Sequence, residues 1–157
     1  MSGTPVAISL GSNIGDRAAH ITFAIGELAR LLENILVSRV IETAPEGVPD
    51  EQQPFLNAAA IGTTMLEPRA LLASLDAIER LDGRERPYRY APRTLDLDLI
   101  LYGTLVLKEK GLEVPHPRFR ERRFVLAPLA EIAGDWQDPV TGSTISALLQ
   151  SLPGGPA

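Results

Sequence analysis

The sequence predicts a single-domain α+β protein, a ferredoxin-like sandwich in which helices flank a mainly antiparallel sheet. The first observation behind this prediction is the order of the periodic segments, which is strand, helix, strand, strand, helix, strand. The second is size, because 157 residues (17.0 kDa) with 45% hydrophobic side chains can bury one core but do not accommodate two full domains. We therefore expect one domain over residues 1–157, with 153–157 as a frayed tail.

Each element follows from the spacing of apolar residues, which is two in a half-buried strand and three or four in an amphipathic helix. The segments predicted as strands are 5–10, 35–43, 55–65 and 94–102, with a hairpin partner at 105–107. The segments predicted as helices are 16–33, 68–83, 125–132 and a short one from 143 or 144 to 152. Turn formers in Gly11–Gly15 predict a chain reversal after the first strand, and His20 on the first helix is interpreted as a surface residue.

Composition and charge disfavour several classes of function. Fifteen basic against twenty acidic residues give a formal net charge of -5 and a pI of about 5.0, which argues against a general nucleic-acid coat or a polybasic membrane binder. The absence of cysteine excludes disulfides, zinc-thiolate sites and thiol catalysis. No apolar run approaches the roughly 18 residues that span a bilayer, and residues 1–10 do not resemble a secretory leader. We expect a cytoplasmic protein without a nucleic-acid or membrane partner.

The sharpest chemical signal is the pair of carboxylates at Asp96 and Asp98. Residues i and i+2 of a strand share one face, whereas Leu95, Leu97 and Leu99 point to the other. Two hard oxygen ligands that converge in this way are typical of a Mg²⁺ site completed by substrate phosphates. An isolated pair with this spacing is also compatible with a solvent-facing strand edge, so the pair alone does not decide the function.

Arginines gather on both sides of this carboxylate pair along the sequence. Nine of the fifteen basic residues fall in two short windows: Arg80, Arg84, Arg86, Arg89, Arg93, Arg118, Arg120, Arg122 and Arg123. Guanidinium groups beside a pair of metal-binding carboxylates indicate a polyphosphate ligand. A solvated face with ordinary ion pairs is the structural alternative. A nucleic-acid site is another, since Tyr88, Tyr90 and Phe119 interleave the arginines and could stack bases.

Several further residues have both a functional and a structural interpretation. Glu79 falls on the apolar edge of the second helix, so its carboxylate needs either a ligand or a salt bridge. His116, between two prolines, could donate to a phosphate or serve only a structural role. Phe55 and Phe124 could sandwich a flat heterocycle whose edge Asn57 reads, or both rings could be core residues.

The segment RYAPRTLDLDLI at residues 89–100 resembles the signature of the 6-hydroxymethyl-7,8-dihydropterin pyrophosphokinases, which transfer a diphosphate from ATP to a pterin alcohol in the folate pathway. Further matches to this family follow in chain order over nearly the whole sequence: Gly11–Asn13, Glu42–Gly47, Phe55–Ala58, Ile78–Glu79, Gly83–Arg86, Val114–His116 and Arg122–Leu129. The family's compact α+β sandwich agrees with the element order given above. The resemblance implies a monomeric, ATP-dependent diphosphotransferase.

The resemblance also implies roles for individual residues. The residues implied for catalysis are Asp96, Asp98, Arg84 and Arg93. The two aspartates would bind two Mg²⁺ ions that bridge the ATP phosphates. The residues implied for ATP binding are Glu79, Arg84, Arg89, Arg93, Leu99 and His116. The residues implied for the pterin pocket are Thr43, Phe55, Asn57, Arg122 and Phe124, with the two phenylalanine rings stacking the substrate.

Members of this family close two loops over their substrates, which implies lids at 44–54 and 84–92. The departures from common family members in these loops are Glu46, Pro87-Tyr88 and Tyr90. Because proline restricts the backbone, we expect slower or narrower opening than in relatives with a longer basic loop. Besides the pyrophosphokinase, the sequence leaves open a non-catalytic RNA- or anion-binding module and a transferase that acts on another hydroxymethyl heterocycle.

Overall fold

The computed structural model describes residues 3–43, 54–83 and 94–153. Its strands are β1 (Thr4–Ser12), β2 (Glu33–Val37), β3 (Ile41–Thr43), β4 (Phe55–Thr64), β5 (Asp96–Tyr102), β6 (Leu107–Glu109) and β7 (Leu112–Val114). Its helices are α1 (Arg17–Leu31), α2 (Pro68–Asp82), α3 (Arg123–Ala133) and α4 (Ile145–Gln150), with a 3₁₀ turn at Phe119–Glu121. The predicted lids, apart from Pro54, and the predicted tail, apart from Pro153, lie outside the described ranges.

A five-stranded antiparallel sheet forms the centre of the fold. Its strands run in the order β2, β4, β1, β5, and β3 pairs with a separate stretch of β4. The pairing of β1 with β4 runs from Thr4 opposite Thr64 to Ser12 opposite Leu56. On its other side β1 pairs with β5, which therefore forms an edge of the sheet. The α+β class and the mainly antiparallel sheet predicted from the sequence are confirmed.

Alternating side chains give the sheet two apolar faces, and helices cover both. On one face Ile8 and Leu97 belong to a buried cluster with Leu28 of α1 and Leu75 of α2. On the other face Ala7 belongs to a second buried cluster with residues of α3 and α4. Full burial of one leucine contributes about 2 kcal/mol. These two layers therefore make the sheet a firm support for side chains at its ends.

The helix starts lie close to the predicted residues, but α1 ends at Leu31 instead of Glu33, where β2 already begins. Asp16 caps α1 by accepting the N–H of Ala19 at 3.1 Å, and Pro68 occupies the first turn of α2, which ends before Gly83. The hydroxyl of Thr144 caps α4 in the same way. Such caps satisfy N–H groups that the first helical turn leaves without a partner. Within the described ranges, no helix has the length and apolar character needed to cross a bilayer.

Two strand predictions are wrong in detail. The run 35–43 is two strands, because the backbone N–H of Ser38 donates to the Ala59 carbonyl while its Oγ accepts the N–H of Ala59. A side chain thus replaces the ladder between β2 and β3. The segment 105–107 is not the partner of β5, because β6 pairs with β7 across Gly111. The positive φ of Gly111 (78°) suits this tight turn.

Candidate active site

The carboxylates of Asp96 and Asp98 lie at the beginning of β5, on the edge of the sheet. Asp96 is opposite Gly11 of β1, and Asp98 is opposite Ser9. Asp96 is exposed and Asp98 is half-buried, whereas Leu97 between them is buried in the cluster formed with α1 and α2. The predicted alternation is therefore present. Both carboxylates lie on the face of β5 opposite to the one that carries the buried leucines.

A row of residues across the sheet joins the aspartates to the predicted pterin residues. Gly11 is opposite Asp96 on one side and opposite Asn57 of β4 on the other. Since paired strands lie about 4.8 Å apart, the backbones of Asn57 and Asp96 are separated by about 10 Å. A Cβ at Gly11 would stand 3.1 Å from Asn57 Nδ2. Glycine therefore keeps open the sheet surface between Asn57 and Asp96, which we call the strip. Gly11 and Ser12 thus belong to β1, and the predicted chain reversal begins only at Asn13.

Three of the predicted pterin residues come together where β3 pairs with β4. Thr43 is opposite Phe55, and its hydroxyl donates to Asn57 Oδ1 at 2.6 Å. Asn57 is only 3% exposed. Its Oδ1 accepts the bond from Thr43, and its NH₂ group can donate to a bound heterocycle. Phe55 is half-buried, which leaves part of its ring accessible. These side chains can together hold the flat face and the polar edge of a ring.

The other two predicted pterin residues, Arg122 and Phe124, lie at the start of α3. The guanidinium carbon of Arg122 stands 5.6 Å from the centroid of the Phe124 ring, within reach of a cation–π contact. The preceding 3₁₀ turn is anchored by Arg120, whose Nε and Nη2 donate to the two oxygens of Asp138 at 2.5 and 2.9 Å. Asp138 is completely buried. This ion pair fixes the turn from which Arg122 projects.

A pocket of about 210 Å³ opens along the edge of β5, between α2 and the β6–β7 hairpin. Its lining includes Asp98 and three of the predicted nucleotide residues, Glu79, Leu99 and His116. Glu79 Oε2 accepts the N–H of Leu97 at 2.6 Å. A carboxylate of α2 therefore bonds the open edge of β5 in the place where a neighbouring strand would do so.

His116 has a defined hydrogen-bond role in this pocket. The backbone N–H of Arg118 donates to His116 Nδ1 at 3.2 Å, so the neutral imidazole carries its proton on Nε2. Burial lowers the pKa of His116 below its usual value, and the nearby Asp98 carboxylate opposes this effect. A neutral ring with Nε2–H can donate to a phosphate oxygen.

Of the two predicted arginine windows, the structure describes the second and, in the first, only Arg80, which is exposed on α2. The arginines and tyrosines that lie outside the described residues are Arg84, Arg86, Arg89, Arg93, Tyr88 and Tyr90. In the second window Arg120 is bonded to Asp138, and Arg123 Nη2 donates to the Pro153 carbonyl at 3.2 Å. The expectation that this whole window serves a phosphate is therefore wrong for Arg120. Phe119 is fully buried and cannot stack a base.

Sequence reasoning missed two residues, His20 and Asp82, that connect α1 and α2 to the chain just before Asp96. The prediction that His20 is a surface residue is wrong, because its Nδ1 pairs with Asp82 Oδ1 at 2.9 Å. The Asp82 side chain is 6% exposed and also accepts the hydroxyl of Thr94, two residues before Asp96. A signal was available, since an aspartate in the last turn of a helix opposes the helix dipole and needs a partner elsewhere.

Comparison with known proteins identifies the family. Residues 7–134 match the model for 7,8-dihydro-6-hydroxymethylpterin-pyrophosphokinase (HPPK). A 2-amino-4-hydroxy-6-hydroxymethyldihydropteridine pyrophosphokinase of Synechocystis sp. is 42% identical over 146 residues, which cover 92% of this chain and 74% of that relative. The Bacillus subtilis protein of the same name is 43% identical over 138 residues, covering 87% of this chain and 82% of the relative.

Solved structures show the same fold. A crystal structure of a Plasmodium falciparum HPPK-DHPS triple mutant with SDX-DHP is similar with a TM-score of 0.78 at 15% identity. The similarity covers 94% of this chain and 44% of that chain, so this chain spans less than half of the longer protein. The likeness supports the predicted ferredoxin-like sandwich.

The fold and the sequence matches define an ATP-dependent diphosphotransferase. The chain belongs to the 7,8-dihydro-6-hydroxymethylpterin-pyrophosphokinase family, whose members transfer a pyrophosphoryl group to hydroxymethyldihydropterin in folate biosynthesis. The family, the enzyme class and the function predicted from the sequence are thereby confirmed. The RNA- or anion-binding module and the transferase for another heterocycle are set aside.

Proposed function

We propose that pyrophosphoryl transfer takes place along the row from Asn57 through Gly11 to Asp96. ATP would enter from the edge of β5, and the pterin would lie on the sheet face beside β3 and β4. The observation that carries this proposal is the position of Asp96 and Asp98 between the edge pocket and the Thr43–Asn57 pair. In this arrangement the β-phosphate and the hydroxymethyl oxygen meet at the two carboxylates.

The donor set at this place suits Mg²⁺. Asp96 and Asp98 offer two hard oxygen ligands on one face of a strand. Among the described residues, no cluster of three or more His, Cys, Asp or Glu side chains could hold a metal, so an ion at this pair would take its other ligands from substrate and water. An ion that takes only one or two protein carboxylates and completes its shell with phosphate oxygens and water is Mg²⁺. We propose two such ions here. When bound, Mg²⁺ neutralises charge on the phosphate oxygens and polarises the β-phosphorus.

The residues of the edge pocket would hold the nucleotide. His116 Nε2–H is positioned to donate to a phosphate oxygen, and Leu99 supplies apolar lining. Glu79 keeps the N–H of Leu97 occupied, which maintains the pocket wall. The roles of Arg84, Arg89 and Arg93 in holding the phosphates rest on the family resemblance, because these residues lie outside the described ranges.

The residues at the other end of the row would hold the pterin. Phe55 and Phe124 stack the ring, Asn57 donates its NH₂ group to the ring edge, and Thr43 fixes the orientation of that amide. Arg122 adds a cation beside the Phe124 ring. Orientation of this kind accounts for a large share of catalysis in phosphoryl-type transfer, because the protein has little covalent chemistry to perform.

In the proposed reaction the hydroxymethyl oxygen forms a bond to the β-phosphorus of ATP. The bond between that phosphorus and the oxygen shared with the α-phosphate breaks, AMP leaves with this oxygen, and the proton of the attacking hydroxyl is released to solvent. We also propose that residues 1–157 act as one domain, as a monomer and in the cytoplasm.

An end-point assay for AMP tests the proposal. We expect AMP from ATP only when both Mg²⁺ and 6-hydroxymethyl-7,8-dihydropterin are present. Asp96→Ala should reduce AMP formation at least about a thousandfold, whereas Asp135→Ala, at an exposed aspartate beyond α3, should leave it unchanged. AMP formation that does not require the pterin, or full activity of Asp96→Ala, would contradict the proposal.

A further inference from the structure

Two charged residues stand at helix ends where the helix dipole disfavours them. Arg17 is the first residue of α1, at the positive end of that helix, and Asp82 is the last residue of α2, at its negative end. Neither charge stabilises its own helix. The explanation for both must come from their partners in the rest of the fold.

The guanidinium of Arg17 holds the two chain segments that flank the proposed pterin residues. Its Nη1 donates to the Pro54 carbonyl at 2.7 Å and to Glu42 Oε2 at 3.1 Å. Glu42 directly precedes Thr43, and Pro54 directly precedes Phe55. The Arg17 side chain is 22% exposed, so these bonds are partly shielded from water. One group thereby fixes the end of β3 against the beginning of β4.

Three residues further along α1, His20 reaches the aspartate side of the centre. Its Nδ1 pairs with Asp82 Oδ1 at 2.9 Å, and the Thr94 hydroxyl donates to Asp82 Oδ2. Because the Asp82 side chain is 6% exposed, these bonds to a charged group form away from bulk water, where they are strong. The carbonyl of Thr94 in turn accepts the hydroxyl of Ser12 at 2.6 Å.

This network continues the pairing of β1 with β5 beyond the end of the backbone ladder. The ladder stops at Gly11 opposite Asp96, so Asp96 is a terminal strand residue of the kind that frays. Two residues earlier, Thr94 is held by Ser12 from the side of β1 and by Asp82 from the side of α2. The network therefore limits how far the carboxylate of Asp96 can move from its neighbour in the pair.

Arg17 and His20 are three residues apart, so they lie on the same face of α1. We propose that the first turn of α1 is a brace shared by both substrate sides. Arg17 positions the pterin residues of β3 and β4. His20 acts through Asp82 and Thr94 to position the metal-binding end of β5. These are positioning residues, because none of them touches the reacting atoms, and the inference rests on the function proposed above.

The test distinguishes the contacts of Arg17 from the network of His20, Asp82 and Thr94, because each set should affect the binding of a different ligand. Thr94→Val removes the hydroxyl that bonds Asp82 but keeps the branched shape and the backbone carbonyl that bonds Ser12. We expect it to weaken binding of α,β-methylene-ATP with Mg²⁺ about tenfold, measured by isothermal titration. Pterin affinity at saturating analogue should stay within about twofold of wild type. Thr94→Ser keeps the hydroxyl and is the matched control, with wild-type binding of both ligands.

Arg17→Met should give the opposite pattern, because it removes the donors but keeps an apolar stem. We expect pterin affinity at saturating analogue to fall about tenfold while nucleotide binding stays within about twofold. Arg30→Met removes a cation near the other end of the same helix, where the side chain is 82% exposed, and should change neither affinity.

Losses that follow this crossed pattern support the brace. Equal losses for both ligands in each variant, or lower melting temperatures with unchanged affinities, overturn it, because general destabilisation does not distinguish the ligands. Should Thr94→Val not fold, His20→Leu removes the other partner of Asp82 and is measured in the same way.

Asp98→Ala, measured in parallel, separates this inference from the proposed function. If Asp98→Ala keeps full turnover, the proposed function fails and the inference fails with it. If Asp98→Ala abolishes turnover while Thr94→Val and Arg17→Met bind both ligands like wild type, only the brace is wrong.

Discussion

Two aspartate-containing regions of the molecule have different environments. Asp138 is completely buried between the 3₁₀ turn and the chain before α4. Its donors are Arg120 Nε, Arg120 Nη2, the Val140 N–H and the Thr141 hydroxyl. In contrast, Asp96 is exposed and Asp98 is half-buried beside an open pocket. The enclosed carboxylate of Asp138 stabilises the fold, whereas Asp98 lines a pocket that can admit a ligand.

The buried pair also shows what full hydrogen bonding does to a carboxyl group. Burial alone would raise the pKa of Asp138, but the hydrogen bonds from Arg120, Thr141 and Val140 outweigh burial and lower it to about 2. The bond to Asp138 raises the pKa of Arg120. Both groups are therefore charged at neutral pH, and each satisfies the other.

The largest effect is expected at the pair formed by Asp96 and Asp98. Asp98→Asn keeps the size of the side chain but removes the charge that a divalent ion requires, so turnover should fall at least about a thousandfold. The free energy of unfolding should change by less than about 1 kcal/mol, because the residue is half-buried. Steady-state kinetics and urea unfolding measure the two quantities. Turnover within tenfold of wild type would show that Asp96 and Asp98 are not the catalytic centre.

The reverse result is expected at the ion pair of Arg120 and Asp138, which we call the closed pair. Asp138→Ala leaves the Arg120 guanidinium without its counter-ion in a partly buried site and should lower the free energy of unfolding by about 3 kcal/mol. Turnover of the folded enzyme should change far less than in Asp98→Asn. Urea unfolding and kinetics at low temperature check both points, and a variant that stays as stable as wild type would contradict the structural role of this pair.

Acid should weaken the closed pair in a defined interval. An ordinary aspartate has a pKa of 3.8, whereas the pKa of Asp138 in the folded protein is about 2, so between these two pH values the unfolded chain binds more protons. The stability from this group is fully present above about pH 5 and is lost as the pH falls through 4 towards 2. The difference between the two pKa values corresponds to about 2 kcal/mol in the free energy of unfolding. Wild type should therefore lose more stability than Asp138→Asn over this interval in urea unfolding, and parallel losses would refute the assignment.

The smallest effect is expected in the strip between the two sides of the site. Gly11→Ala places a methyl group 3.1 Å from Asn57 Nδ2, so pterin affinity should fall about fivefold with less than about 1 kcal/mol of destabilisation. Gly26→Ala adds a methyl group to α1 with no atom within 4 Å and should stabilise the helix by about 0.5 kcal/mol without changing pterin affinity. Titration of both variants tests this, and equal pterin affinities would mean that the strip does not hold the substrate.

The sequence predicts elements whose signals are local. The alternation around Asp96 and Asp98, the cap at Asp16 and the proline at Pro68 each act within a few residues, and the corresponding strand and helices form as expected. The break at Ser38 could not be predicted in this way, because its cause is a bond to Ala59 on another strand.

The same limit applies to the candidate site. Residues that match a known family can be placed from the sequence, and Thr43 and Asn57 do come together. The supports of the site escape such reasoning, because their partners are distant in the chain. His20 bonds Asp82 across 62 positions, and the role of Asp82 is apparent only when α1, α2 and β5 are packed together.

The central claim is that the carboxylates at the start of β5 hold divalent ions beside the nucleotide. The most direct test is a crystal structure with Mn²⁺ and α,β-methylene-ATP, read by anomalous scattering. We predict two manganese peaks, each within about 2.5 Å of an oxygen of Asp96 or Asp98 and of a phosphate oxygen. Bound nucleotide without a manganese peak at either aspartate would contradict the account.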